Sequence, residues 1–286
     1  MLATYILFLR EGLEASLIVS MIFAVLRQLN QMRQARAVWI GVGLALLCAM
    51  LSGVLIFSLV HTYANTTGQA IFETITYLFA VVLLTGMTFW MQKHSRTLKQ
   101  EIALKAQAAG SGFAFGLLAF TSVGREGVET AFFTLAFAFQ TNGWLLLLGG
   151  LLGVLSSVVL CFLIYRLGYR LNYRIFFRVM GIILLFFAAG LLSDAVQNMQ
   201  QLNWITFGLT PLWNTSHFLS ESSNIGDLLH SFVGYAEEPT VLQSTLYVLF
   251  LAATCSIFFW MTRKPSSGKT VKSSLSTSSQ PLTSKG

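Results

Sequence analysis

Seven apolar stretches, each long enough to cross a bilayer, dominate this sequence of 286 residues. A helix rises about 1.5 Å per residue, so about 20 apolar residues span the hydrocarbon core. Hydrophobic residues make up 55% of the chain and charged residues only 10%, which leaves too little polar surface for a water-soluble protein of this size. The sequence therefore predicts an all-α, polytopic membrane protein. The predicted spans are 3–26, 38–60, 70–92, 112–139, 144–165, 179–197 and 241–262.

The basic residues fall on one side of these spans. Sixteen of the eighteen Lys and Arg lie between spans one and two, three and four, and five and six, or after span seven. The alternate loops, 61–69, 140–143 and 198–240, contain none. By the positive-inside rule the N-terminus lies outside and the C-terminus in the cytoplasm. The basic excess is thus a topological signal, and no nucleic-acid partner is expected. The first span lacks a basic region before it and is read as a retained helix.

A charged five-residue motif occurs twice inside these apolar stretches. It reads Arg-Glu-Gly-Leu-Glu at 10–14, in span one, and Arg-Glu-Gly-Val-Glu at 125–129, in span four. A charged side chain at the centre of a membrane helix costs about 2.5–3.5 kcal/mol on insertion scales, and such residues usually serve a function. Six such charges, contributed by two copies of nearly the same motif, indicate a functional site within the membrane.

The two motifs lie on helices of opposite direction. Each opens a block of three spans, which predicts a 3 + 3 inverted repeat whose halves, 1–92 and 112–197, meet near the bilayer midplane. The seventh span, 241–262, lies outside the repeat. The predicted membrane domain is then 1–262, with an outer loop at 198–240. A Ser/Thr-rich, basic segment at 263–286 is predicted to be a disordered cytoplasmic tail.

Carboxylates give the motif its chemistry. The two Glu of each copy are three residues apart and share a helix face, and the Arg, four residues before the second Glu, reaches the same face. The central Gly allows another backbone to approach closely. If spans one and four cross at the motifs, four carboxylates converge in an oxygen-rich site for a hard cation. The predicted metal ligands are Glu11, Glu14, Glu126 and Glu129, with Arg10, Arg125, Gly12 and Gly127 in supporting roles.

The charge of this site favours a divalent cation. Each motif carries a net charge of −1 when ionised, so a divalent ion neutralises the pair and a trivalent ion leaves +1. Crowded carboxylates tend to retain a proton in the absence of a cation, so metal transport coupled to proton displacement is a further hypothesis. The four His fall in loops or at span ends, and the three Cys show no metal spacing, which argues against a soft-metal site.

Two further acidic residues occupy comparable positions in the two halves. Glu73 lies near the outer start of span three and Asp194 near the outer end of span six. They could line an outer vestibule. The alternative is that both are helix-end residues in the headgroup layer.

At the two motifs the chain resembles the iron permeases of the oxidase-dependent iron transporter family, which are marked by Arg-Glu-Gly-Leu-Glu sequences in membrane helices. The first copy matches outright, and the second has Val128 in place of Leu. Over about residues 1–265 the chain is similar to the bacterial branch in length, seven spans and orientation. The resemblance implies iron import across the bacterial inner (cytoplasmic) membrane, with the four motif Glu as iron ligands. It also implies separately encoded partners, a periplasmic iron-binding protein and a haem peroxidase. Iron is then a substrate and not a cofactor.

Other functions remain open from the residues alone. A transporter of another divalent cation, such as lead or manganese, could use the same carboxylates. A membrane-embedded carboxylate-bridged di-iron enzyme would place His beside Glu, and no His lies at motif depth. A seven-span receptor or retinal protein is disfavoured, since retinal needs a Lys within a span and a receptor needs no repeat. The net charge of the two motifs favours Fe(II), whereas hard oxygen ligands suit Fe(III) as well as Fe(II).

Overall fold

The computed structural model describes residues 2–62, 67–94, 104, 111–140, 142–167, 173–220 and 223–263. Over these residues the regular structure is helical, apart from an isolated antiparallel bridge between Pro211 and Thr240. The long helices are α1 Leu2–Gln28, α2 Ala35–Thr62, α3 Thr67–His94, α4 Gly112–Gln140, α5 Gly143–Leu167, α6 Tyr173–Gln201 and α8 Val241–Arg263, and a short helix, α7, covers Asn224–Val233. Residues 264–286, which contain nearly all of the predicted tail, lie outside the described residues.

Each predicted span lies inside one long helix. Five of the seven, α2, α3, α5, α6 and α8, are long and apolar enough to cross a membrane, judged by length and composition over the described residues. The other two, α1 and α4, differ from them in carrying the three charged residues of a motif. α4 is unbroken through its motif. The chain is therefore an all-helical, polytopic membrane protein, as the sequence predicted.

The helices of the two blocks, α1–α3 and α4–α6, pack crosswise. α1 packs along α5 and α4 packs along α2, so the first helix of each block lies against the second helix of the other. α1 and α4 also contact each other, and α3 packs on α6. The motif glycines allow these approaches. A Cβ at Gly12 would lie 2.8 Å from the Cβ of Ser157 in α5, and a Cβ at Gly127 would lie 2.8 Å from that of Ala49 in α2.

Two clusters of buried apolar side chains lie on either side of the motifs along α1 and α4. Leu7 of α1 and Phe137 of α4 belong to the first cluster, which α3 and α6 complete. Ile22 of α1 and Phe115 of α4 belong to the second, which is completed by α2. The charged residues are thus placed between two apolar layers.

Segment 198–240 is folded rather than an extended loop over its described residues. α7 begins after Ser223, whose Oγ accepts a hydrogen bond from the Gly226 N–H at 3.0 Å, and ends at Gly234, which has a φ of +70°. Gly234 packs on Gly190 of α6, where a Cβ would lie 3.0 Å from the Gly234 Cα. The sequence analysis did not predict this helix, which also contacts α1.

Candidate metal site

Three carboxylates meet where α1 and α4 contact each other. Glu11, Glu126 and Glu129 each offer one oxygen, and these oxygens all lie within 4.8 Å of one another. The side chains of Glu11 and Glu126 are buried, and that of Glu129 is 20% exposed. Within the described part of the chain, no other group of three or more His, Cys, Asp or Glu side chains comes together in this way. We call Glu11, Glu126 and Glu129 the three-carboxylate group.

The first motif is held by a buried arginine. The Arg10 Nη1 donates a hydrogen bond to the Glu11 Oε1 at 2.9 Å, and the Arg10 Nε forms an ion pair with the Glu14 Oε1 at 2.9 Å. The side chains of all three residues are at most 4% exposed. Glu14, a predicted ligand, is therefore paired with Arg10 and is not a member of the three-carboxylate group.

The second motif has the same pairs in a looser form. The Arg125 Nε lies 3.5 Å from the Glu126 Oε1 and 3.2 Å from the Glu129 Oε1. The Arg125 side chain is 47% exposed, against 3% for Arg10. Its guanidinium carbon lies 4.8 Å from the centre of the Trp90 ring in α3, which is a cation–π contact. One sequence motif thus occupies two different environments.

Each member of the three-carboxylate group has a second oxygen without a partner. The Oε2 atoms of Glu11, Glu126 and Glu129 are buried and make no hydrogen bond to the described residues. A buried acceptor left unsatisfied costs about 1–3 kcal/mol, and more when it is charged. Oxygen donors in this number and charge suit a hard or borderline divalent cation. A cation among them would remove this cost.

A small cavity of about 10 Å³ lies beside Arg10, with room for about one water molecule. It is lined by Arg10, Thr88, Met91, Gln92, Gly181 and Leu184. The Thr88 hydroxyl is buried and makes no hydrogen bond to the described residues. The sequence analysis did not single out Thr88, beside Arg10, or Trp90, beside Arg125. A Thr within an apolar stretch and a Trp near its end are ordinary in membrane helices.

Glu73 and Asp194 lie apart from the three-carboxylate group. The Tyr77 hydroxyl donates a hydrogen bond to the Glu73 Oε1 at 2.7 Å. The Asp194 Oδ1 lies 3.8 Å from the Nε2 of His230 in α7, and the Nδ1 of that His lies 2.8 Å from the Tyr235 carbonyl oxygen. The two acidic residues thus lie on the neighbouring helices α3 and α6, and Asp194 contacts α7 of the folded segment 198–240.

The described helices and the carboxylates between them define a multi-pass membrane protein with ionisable groups held inside its helical bundle. The chain belongs to the Iron permease FTR1 family, whose sequence profile matches residues 1–264. This confirms the family predicted from the two motifs, and with it a permease for iron rather than an enzyme.

Several ferrous iron permeases are similar to this chain over nearly their whole length. The Ferrous iron permease EfeU of Escherichia coli O157:H7 is 34% identical over 256 residues, which cover 88% of this chain and 92% of that protein. The protein of the same name from Shigella sonnei (strain Ss046) gives the same values. That from Yersinia pestis is 33% identical over 270 residues, covering 91% of this chain and 93% of the relative. No solved structure matches the chain.

Proposed function

We propose that this protein imports Fe(II) across the bacterial inner membrane and that the three-carboxylate group is its transport site. One observation carries the proposal: oxygens of Glu11, Glu126 and Glu129 lie within 4.8 Å of one another where the two motif helices meet. Membership of an iron permease family and the ferrous iron permeases among its relatives support the cargo.

The proposed topology has seven spans, with the N-terminus in the periplasm and the C-terminus in the cytoplasm. The one-sided distribution of Lys and Arg supports this orientation. The crosswise packing of α1 on α5 and of α4 on α2 supports an inverted repeat of α1–α3 and α4–α6. α8 is then the extra span, and segment 198–240 faces the periplasm.

The four motif carboxylates take different roles in this proposal. Glu129, the most exposed member of the three-carboxylate group, meets the cation first, and the buried Glu11 and Glu126 complete its binding. Glu14 serves as a fourth ligand once its ion pair with Arg10 opens. Arg10 orients the carboxylates of the first motif. Glu73 and Asp194 line the approach from the outer segment.

Proton displacement accompanies cation binding in this mechanism. Three carboxylates within 4.8 Å of one another repel when all are ionised, so the cation-free site retains a proton that an arriving cation displaces. Fe(II) then supplies the charge that the proton supplied before. The buried oxygens without hydrogen-bond partners support this exchange.

The partners are a separately encoded periplasmic iron-binding protein and a haem peroxidase. The family resemblance of the motifs supports them. The folded segment 198–240, docked on the bundle through Gly190 and Gly234, is the surface we assign to their contact.

The test is anaerobic uptake of radiolabelled Fe(II) in cells that lack other iron importers. We expect uptake by the wild type and strong loss in Glu11→Gln and Glu129→Gln at matched membrane levels. Thr245→Val on α8 is the control, because Thr245 is exposed and its hydroxyl donates a hydrogen bond to the Val241 carbonyl of its own helix at 2.7 Å. Equal uptake in all variants would remove the three-carboxylate group from the mechanism. Absence of wild-type uptake would reject Fe(II) as cargo. Competition by Mn²⁺ or Pb²⁺ in the same assay tests the other divalent cations.

A further inference from the structure

Trp90 of α3 lies outside both motifs, and its ring contacts the guanidinium of Arg125. We propose that Arg125 is a displaceable counter-ion of the second motif and that the face of the Trp90 ring holds its guanidinium while a cation occupies the three-carboxylate group. This inference rests on the proposed function and adds to it a residue outside both motifs.

The two motif arginines differ in how firmly they are held. Arg10 makes both of its carboxylate contacts at 2.9 Å and is 3% exposed. Arg125 makes its contacts at 3.2 and 3.5 Å and is 47% exposed. The second arginine therefore has the weaker carboxylate contacts and the less enclosed side chain.

A bound cation weakens the hold of the second motif on its arginine. A divalent cation among Glu11, Glu126 and Glu129 lies close to the Arg125 guanidinium, which contacts the Oε1 atoms of Glu126 and Glu129, and repels it at short range. The guanidinium stays charged at any physiological pH, so inside the membrane it needs another partner. Trp90 is already in position, with its ring centre 4.8 Å from the guanidinium carbon.

An aromatic ring suits this task better than a carboxylate would. The indole face attracts a guanidinium, but it carries no full negative charge and offers no lone-pair oxygen to compete with the site for the cation. Trp90 also lies on α3, whereas the carboxylates are on α1 and α4. Arg125 can therefore move toward the ring and leave Glu126 and Glu129 to the cation.

Substitution of Trp90 tests the inference by its effect on cation affinity. We expect Trp90→Leu to raise the KM of anaerobic Fe(II) uptake about 2- to 30-fold, the range of a cation–π contact, with little change in maximal rate. The KM of Trp90→Phe should lie between those of the wild type and of Trp90→Leu. The matched control is Trp39→Leu on α2, because Trp39 is 61% exposed and its ring is tilted against that of Phe23, with the ring centres 5.6 Å apart. Its KM should equal that of the wild type.

A double-variant comparison separates this role from packing. In an Arg125→Gln background, Trp90→Leu should have no further effect, because no guanidinium remains to be held. If the double variant transports too little iron to measure, anaerobic equilibrium binding of Fe(II) to purified protein in detergent gives the same comparison, with Arg125→Lys as a second background.

Three outcomes overturn the inference. A Trp90→Leu variant with wild-type KM would do so. An equal loss of Fe(II) affinity on Trp90→Leu in the wild-type and Arg125→Gln backgrounds would do so as well. Both leave the proposed function intact if the wild type imports Fe(II). Absence of Fe(II) uptake by the wild type would instead reject the proposed function together with this inference.

Discussion

Gly12 of α1 lies so close to Ser157 of α5 that a Cβ at Gly12 would sit 2.8 Å from the Cβ of Ser157. Gly127 stands in the same relation to Ala49 of α2, again at 2.8 Å. The central residue of each motif is therefore where a motif helix approaches a helix of the other block. This explains why a Gly follows the first Glu of each copy.

Substitution of this glycine should destabilise the protein. Gly12→Ala forces α1 and α5 apart, and overpacking of this kind costs about 1–3 kcal/mol. We expect a lower Tm for the purified variant in detergent and reduced iron uptake. Gly86→Ala on α3 is the control, because a Cβ there has no neighbouring atom within 4 Å, and its Tm should not fall. An unchanged Tm for Gly12→Ala would contradict the close packing of α1 on α5.

The two arginines should contribute unequally to stability. Arg10→Gln leaves Glu14 and Glu11 without their buried partner, and breaking a buried pair in this way costs about 3–5 kcal/mol. Arg125→Gln should cost less, because the Arg125 contacts are longer, at 3.2 and 3.5 Å, and its side chain is 47% exposed. Thermal unfolding of both variants at matched detergent concentration measures the difference. Equal destabilisation would show that the two motifs are held alike.

Acidification should weaken iron binding. Protons compete with Fe(II) for the three-carboxylate group, so binding that displaces one proton weakens about tenfold for each unit by which the pH falls. Equilibrium binding of Fe(II) to purified protein under anaerobic conditions, over a range in which the protein stays folded, measures the slope. Glu11→Gln removes one carboxylate for which protons and Fe(II) compete, so it should reduce the slope of Fe(II) binding against pH. A slope of zero in the wild type would reject proton displacement.

Membrane-impermeant maleimide should label the two sides of the bundle differently. In a variant with Cys48, Cys161 and Cys255 replaced by Ser, a Cys at Phe218 should react in intact cells, since this residue is 96% exposed in the outer segment. A Cys at Met32, 50% exposed between α1 and α2, should react only after permeabilisation. The opposite pattern would reverse the proposed orientation.

The short helix α7 shows what a search for spans overlooks. Ser223 and Gly234 are ordinary cap residues for a helix, at positions that the sequence already displays. The sequence analysis places both residues in a loop, because the ten residues of α7 are too few to cross a bilayer. Its docking depends on Gly190, which is distant in sequence, so the order in segment 198–240 comes from a tertiary contact.

The sequence by itself determined the seven long helices, the family and the residues that could carry the chemistry. Apolar length and charged motifs are local properties, and each predicted span lies within a long helix. Only the tertiary structure decided that Glu11 joins Glu126 and Glu129 while Glu14 pairs with Arg10. The two motifs have nearly the same residues and the same helical spacing. Their differences therefore come from what packs around them, which depends on how distant helices meet and not on the motif itself.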